Sequence, residues 1–201
     1  MSEMGVTLAA WEQWWSEGCT RLPVVRVREN EALPASWGDL ASGPATVLLE
    51  SAQAGRYTYV CDRPARVIVG RRERAEIWSG DGATRLGERV GAPLEVLASL
   101  HAEAKAPALP SWPAMSGGWI GVCGYDLVHT WERLPERARR DLGVPLYAFV
   151  EARELFVYDH VERKLWVITW SEVTEADELG GALAWAEAAV VAAEERWRNS
   201  G

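Results

Sequence analysis

Apolar positions change their spacing several times along this chain, and each change marks an expected element. Behind Thr7, whose hydroxyl can cap a first turn, Leu8, Trp11 and Trp15 recur at helical spacing with Trp14 alongside. Leu22 to Arg28 reads as a strand, with Val25 and Val27 on one face and Val24, Arg26 and Arg28 on the other. Residues 30–44 have loop composition. Thr46 to Ser51 is a continuous apolar run, which predicts a strand buried on both faces. Short strands are expected at Tyr57 to Cys61, Ala65 to Gly70 and Glu73 to Trp78, punctuated by Asp62-Arg63-Pro64 and Ser79-Gly80-Asp81-Gly82. Pro93 suits the first turn of a helix carrying Leu94, Leu97, Leu100 and His101. Three prolines between Ala106 and Met115 favour an extended connection. Gly117 to Gly124 reads as a glycine-rich strand, followed by a short helix near Leu127 to Glu132. Tyr147 to Tyr158 and Lys164 to Trp170 predict a hairpin around residues 159–163. Leu179, Leu183, Ala186, Val190, Ala193 and Trp197 alternate steps of four and three, which predicts a terminal helix over about 175–198.

Short turns between strands and the lack of regular βαβ spacing predict an α+β fold, mostly antiparallel sheet layers with a few flanking helices. With 201 residues, one domain over 1–201 is the natural expectation. A net charge of −8 argues against nucleic acid, because neutralising phosphates needs a basic face. No apolar run approaches the ~20 residues that span a bilayer, and the N-terminus lacks the basic-then-apolar order of a signal peptide. Cys19, Cys61 and Cys123 are odd in number, far apart and form no C-x-x-C pair, which fits a reducing cytoplasm and disfavours a disulfide framework or zinc. His101, His129 and His160 share no metal-type spacing. Neither Ser51 nor Cys123 belongs to a nucleophile arrangement, and Cys123 sits in an apolar run where a thiol is inert. Thus no catalytic or metal-binding residue is assigned. Of the twelve tryptophans, Trp11, Trp14, Trp15, Trp185 and Trp197 lie on helical stripes and are expected mainly in the core.

Two dense segments remain. Leu48-Leu49-Glu50-Ser51 runs into a turn and then Gly55-Arg56-Tyr57-Thr58-Tyr59. Further on stand Gly117-Gly118-Trp119-Ile120-Gly121-Val122-Cys123-Gly124-Tyr125-Asp126 and Trp131-Glu132-Arg133-Leu134-Pro135. A carboxylate and a hydroxyl at the end of an apolar run either satisfy each other's surroundings, with Glu50 pairing Arg56 across the turn, or hold a small polar ligand. The glycines are not a phosphate loop, since no G-K-[ST] follows. Glycine within a strand marks close backbone approach or a bulge, and Asp126 could cap the following helix.

In order and spacing, from about Val47 to Trp170, these segments resemble the N-terminal domain of anthranilate synthase component I and of its relative aminodeoxychorismate synthase component I. That family reads L-L-E-S, then G-R-Y-S-F, then G-G-x-x-G-Y-x-G-Y-D and F-E-x-L-P. This chain departs from it at Thr58, at Val122 and at His129-Thr130. The resemblance implies a non-catalytic domain, structural and tryptophan-binding or regulatory. In it Leu49, Glu50, Ser51, Tyr57 and Thr58 would meet L-tryptophan: the carboxylate and hydroxyls its ammonium, the apolar side chains its indole. It also implies a chorismate-binding catalytic half, which would carry Mg2+ and is expected to lie outside this chain, and a glutamine amidotransferase partner. A free-standing amino-acid-binding module, or a split-subunit scaffold for a catalytic half, are the other readings.

Overall fold

A computed structural model describes residues 3–38, 40–50, 55–135 and 143–200. Two antiparallel sheets carry the fold, as expected of the α+β class. The first joins β1 (Glu3–Met4), β2 (Arg21–Glu29), β11 (Lys164–Glu172), β10 (Glu154–Asp159), β4 (Tyr57–Cys61) and β3 (Val47–Leu49), in that spatial order. The second joins β7 (Arg85–Val90), β6 (Arg74–Ser79), β5 (Arg66–Gly70), β9 (Tyr147–Ala152) and β8 (Gly118–Cys123). Three α-helices flank them: α1 (Leu8–Ser16), α2 (Pro93–His101) and α3 (Leu179–Arg198). As the sequence suggests, Thr7 caps α1, its Oγ1 accepting from the Ala10 backbone N–H.

The register of β3, β4, β10, β11 and β2 sorts their side chains onto two faces. Thr58, Val60, Phe156, Tyr158, Leu165, Val167 and Val24 share the face that α3 covers. Its expected stripe of Leu179, Leu183, Ala186, Val190, Ala193 and Trp197 is buried there. Burying such a stripe stabilises the helix far more than its own propensity does, because apolar area leaves water at ~25 cal/mol per Å². Arg26 and Arg28 lie on this same covered face, and both meet Glu194, a wholly buried carboxylate of α3. A smaller core under the second sheet packs Ile68, Ile77 and Tyr147 against Val96 and Leu100 of α2. Leu94 stays exposed, while Pro93, Val96 and Leu100 are buried and Leu97 packs alongside them.

Several expectations need correction. The run Tyr147–Tyr158 is not one strand: β9 ends at Ala152, β10 begins at Glu154, and the two belong to different sheets. The chain turns at Arg153, whose carbonyl accepts from Trp170 N at 2.7 Å, while the carbonyl of Glu151 accepts from Ala65 N at 2.9 Å. An alternating pattern gives the faces of a strand but not the sheet it joins, so the corner was invisible. The run beginning at Thr46 forms only the short edge strand β3, with Leu49 42% exposed. It is not buried on both faces: Val47 and Leu48 are only half-buried and Leu49 is exposed. β7 was missed because an edge strand with one half-buried glycine and otherwise exposed positions has no apolar face to show. Trp185 is 61% exposed and is not a core residue, whereas Trp11 and Trp197 are buried. Among the described residues no helix is long and apolar enough to cross a membrane.

Candidate functional site

β3 and β4 place most of the motif-derived residues. Leu49 stands directly opposite Tyr59, and Tyr57 lies two positions along on that same face. This is the face away from α3. Tyr57 and Tyr59 hold their rings 5.9 Å apart, tilted, and both are half-buried. Across Val157 of β10 the face continues to Trp166 of β11, whose ring centroid lies 6.2 Å from that of Trp112 in the proline-rich connection. Leu49, Tyr57, Tyr59 and Trp166 thus make a partly solvent-facing aromatic surface, the kind of wall an indole or another flat ring packs on.

Thr58 points the other way. It is 1% exposed, and its Oγ1 lies 2.8 Å from Nε2 of His160. The structure therefore separates Thr58 from Leu49 and Tyr57 by the thickness of the sheet, because neighbouring residues of a strand face opposite sides. Glu50, just past β3, is exposed rather than buried, and its Oε1 accepts from Nε1 of Trp37 at 3.3 Å. Ser51 lies outside the described residues.

Arg56 is committed elsewhere than to Glu50. Its Nε donates to Asp159 at 2.8 Å and its Nη2 to Glu162 at 2.8 Å, while its guanidinium carbon sits 5.1 Å from the centre of the Tyr57 ring. Burial alone would raise the Asp159 carboxyl, but the Arg56 hydrogen bond and the backbone N–H groups of Glu162 and Val161 hold it below its ordinary value. Arg56 thus fixes the β10–β11 turn against the start of β4 and leaves the Glu50 carboxylate with an indole N–H. Sequence reading missed both Trp37, which sits in a stretch of loop composition, and His160, which reads as a turn residue. Only the strand register brings them to β3 and β4.

The glycine-rich segment forms β8, an edge strand paired with β9. A Cβ at Gly121 would run into the Ala148 carbonyl and the backbone of Phe149, and one at Gly117 would meet the Trp170 indole nitrogen at 2.6 Å. These glycines permit close approach, as expected. Asp126 is not a helix cap: the 3-10 turn Tyr125–Thr130 starts from Gly124 with no side-chain cap. Cys123 is exposed at the end of β8, so the apolar run that holds it does not shield the thiol as an inert one would be shielded. Among the described residues no three of His, Cys, Asp or Glu come together in a way that could hold a metal ion.

A second polar constellation lies where the two sheets meet. Glu151 of β9, wholly buried, receives Arg66 at 2.6 Å, Arg21 at 2.7 Å and Arg153 at 3.1 Å. Arg153 and Arg21 continue to Glu172, and Arg66 and Arg89 to Glu103. Burial pushes the Glu151 carboxyl upward, but the Arg66 hydrogen bond and the charges of Arg153, Arg21 and Arg66 outweigh it and hold it below its ordinary value.

No protein-family model matches this chain. Individual proteins do. The chain is similar to component 1 proteins of anthranilate synthase. Anthranilate synthase component 1 of Mycobacterium tuberculosis strain H37Rv is 34% identical over 158 residues, 73% of this chain and 30% of that protein. The component 1 protein of Thermus thermophilus is 34% identical over 146 residues, 72% of this chain and 30% of its own length. That of Acetivibrio thermocellus is 33% identical over 125 residues, 60% of this chain and 25% of its own. The crystal structure of anthranilate synthase component I from Streptococcus pneumoniae TIGR4 superposes with a TM-score of 0.52 and 22% identity, covering 78% of this chain and 32% of that one. The likeness supports the α+β fold, and this chain spans about a third or less of each of these proteins.

Proposed function

We propose that this chain supplies the non-catalytic, N-terminal-type portion of a chorismate-aminating enzyme, with L-tryptophan as a regulatory ligand. In this reading a chorismate-binding portion carries out the chemistry with its Mg2+, and a glutamine amidotransferase supplies ammonia. The observation that carries it is the similarity of nearly three quarters of this chain to under a third of the anthranilate synthase component 1 proteins. Those names favour the anthranilate branch over aminodeoxychorismate. For tryptophan, the half-exposed wall of Leu49, Tyr57, Tyr59 and Trp166 suits an indole. Glu50 is exposed and suits an ammonium, and because its Trp37 N–H partner packs on Trp197 of α3, an ammonium there would sit round the β3 edge from the indole wall. Thr58 acts from behind the strand through His160, as a positioning residue.

The test mixes this chain with the separately produced remainder of the Thermus thermophilus component 1 protein and supplies chorismate, ammonia and Mg2+. The chain alone is expected to make no anthranilate and the mixture to make it. L-tryptophan is expected to inhibit the mixture, and Glu50→Gln to weaken that inhibition about tenfold. Turnover of chorismate by the chain alone, abolished by a point change within it, would overturn the proposal. The reading as a scaffold for a catalytic partner draws on a different observation, the exposed side chains of Val122, Tyr125 and Trp131. It predicts complex formation without any response to tryptophan.

A further inference from the structure

A cleft of about 560 Å³ opens beside the first half of α3, on the far side of the sheet from Leu49 and Tyr57. Its lining combines both signs of charge with an exposed aromatic ring. Arg63, on the turn after β4, and Arg153, at the corner between the sheets, bring guanidinium groups. Glu154 and Glu172 bring carboxylates. Trp185 projects from α3 with 61% of its surface exposed, an unusual state for the largest apolar side chain. Deeper in, Thr169 is 2% exposed and its hydroxyl has no hydrogen-bond partner among the described residues. Ser171 makes only a long bond of 3.4 Å to the Ala182 carbonyl. Arg63 forms no ion pair among the described residues, whereas Arg153 is tied to Glu172 at 2.5 Å and Glu154 to Arg196.

These features select a class of ligand by elimination. A dianion would face Glu154 and Glu172, and a cation would face Arg63 and Arg153. A purely apolar molecule would leave the Thr169 hydroxyl and the free end of Arg63 without partners, which is costly once water is displaced. We propose that this cleft binds a small zwitterion with an apolar side chain, an α-amino acid, at a site separate from the Leu49–Tyr57 surface. Its carboxylate meets Arg63, its ammonium meets Glu154 and Glu172, and its side chain lies against Trp185 and the Ala182 methyl. The volume falls within the ~300–1,000 Å³ of small-molecule sites. Burial pushes the Glu154 carboxyl above its ordinary value even with Arg196 beside it, so an incoming ammonium relieves a carboxylate short of positive charge.

The test uses the whole chain, isotopically labelled, titrated with L-phenylalanine and followed by amide and indole NMR shifts. Two further probes each lack one charge: 2-phenylethylamine and 3-phenylpropanoate. The expected result is saturable shifts at Thr169, Ser171, Ala182 and the Trp185 indole, with each single-charge probe about tenfold weaker. Arg63→Ala and Trp185→Ala, both at exposed positions, should keep the fold and weaken L-phenylalanine about fivefold or more. The proposal is overturned by the absence of saturable shifts up to about 10 mM, or by equal binding of the three probes. Shifts confined to residues 47–49 and 57–59 would also overturn it, and would support the other surface instead.

Discussion

At the residue scale, the wholly buried carboxylate of Glu151 marks where this protein can be broken. Glu151 faces three arginines at the junction of the sheets. Removing it leaves three largely buried guanidinium groups with only Glu172 and Glu103 to share among the described residues, so Glu151→Ala should cost about 3–5 kcal/mol in urea unfolding. Its folded pKa lies below its ordinary value of 4.5, so its stabilisation is complete above that value. It is lost as the pH falls through the folded pKa. The urea midpoint should therefore drop from about pH 5 toward about pH 3, and the drop should be shallower in Glu151→Gln. Asp159, also depressed, acts in the same direction, whereas Glu154, raised by burial, gains on protonation and opposes it. Thiol reactivity gives an independent check. Burial raises Cys19 and pushes Cys61 up to about 12, while Cys123 is exposed. A maleimide should thus add once to the native chain, at Cys123, and reach the other two only after unfolding, as read from intact mass.

Glycines separate the demands of the elements. β8 must approach β9 closely at Gly121, where a methyl group would strike the backbone of Ala148 and Phe149. Gly121→Ala should cost about 1–3 kcal/mol. Gly181, in the first turn of α3, has open space around its Cβ position and is exposed. Gly181→Ala should instead stabilise by about 0.4–1 kcal/mol, by reducing the freedom of the unfolded chain. Thermal unfolding of the two variants should move in opposite directions, although sequence inspection treats both as glycines in regular elements.

For the whole molecule, the open question is what meets its exposed apolar side chains. Val122 and Tyr125 stand exposed where β8 runs out, Tyr125 to 90%, and Val144 is exposed two residues before Leu146, whose carbonyl accepts from Gly124 N. Among the described residues β8 pairs only with β9, so its outer edge also presents unpaired backbone groups. Sedimentation should show concentration-dependent self-association of the chain, reduced by Val122→Lys. A monomer at all concentrations would show that a second copy of this chain does not cover this edge.

Residues with a period were legible before any coordinates. The α3 stripe, the Thr7 cap, the antiparallel α+β class and the close approach at the glycines come from local sterics and from one buried face per element. The tertiary structure was needed for relations between segments far apart in the chain. The corner at Arg153 depends on Glu151 finding Arg21 and Arg66 on other strands. The exposure of β3 depends on its edge position, and the partners of Glu50 and Thr58 arrive from residues 37 and 160. Trp185 sits close to a buried helical stripe, yet it faces solvent at the rim of the cleft. Hydrophobic spacing records which side of an element is buried; it holds no information about which distant charge or edge will lie opposite, because that is set by long-range packing.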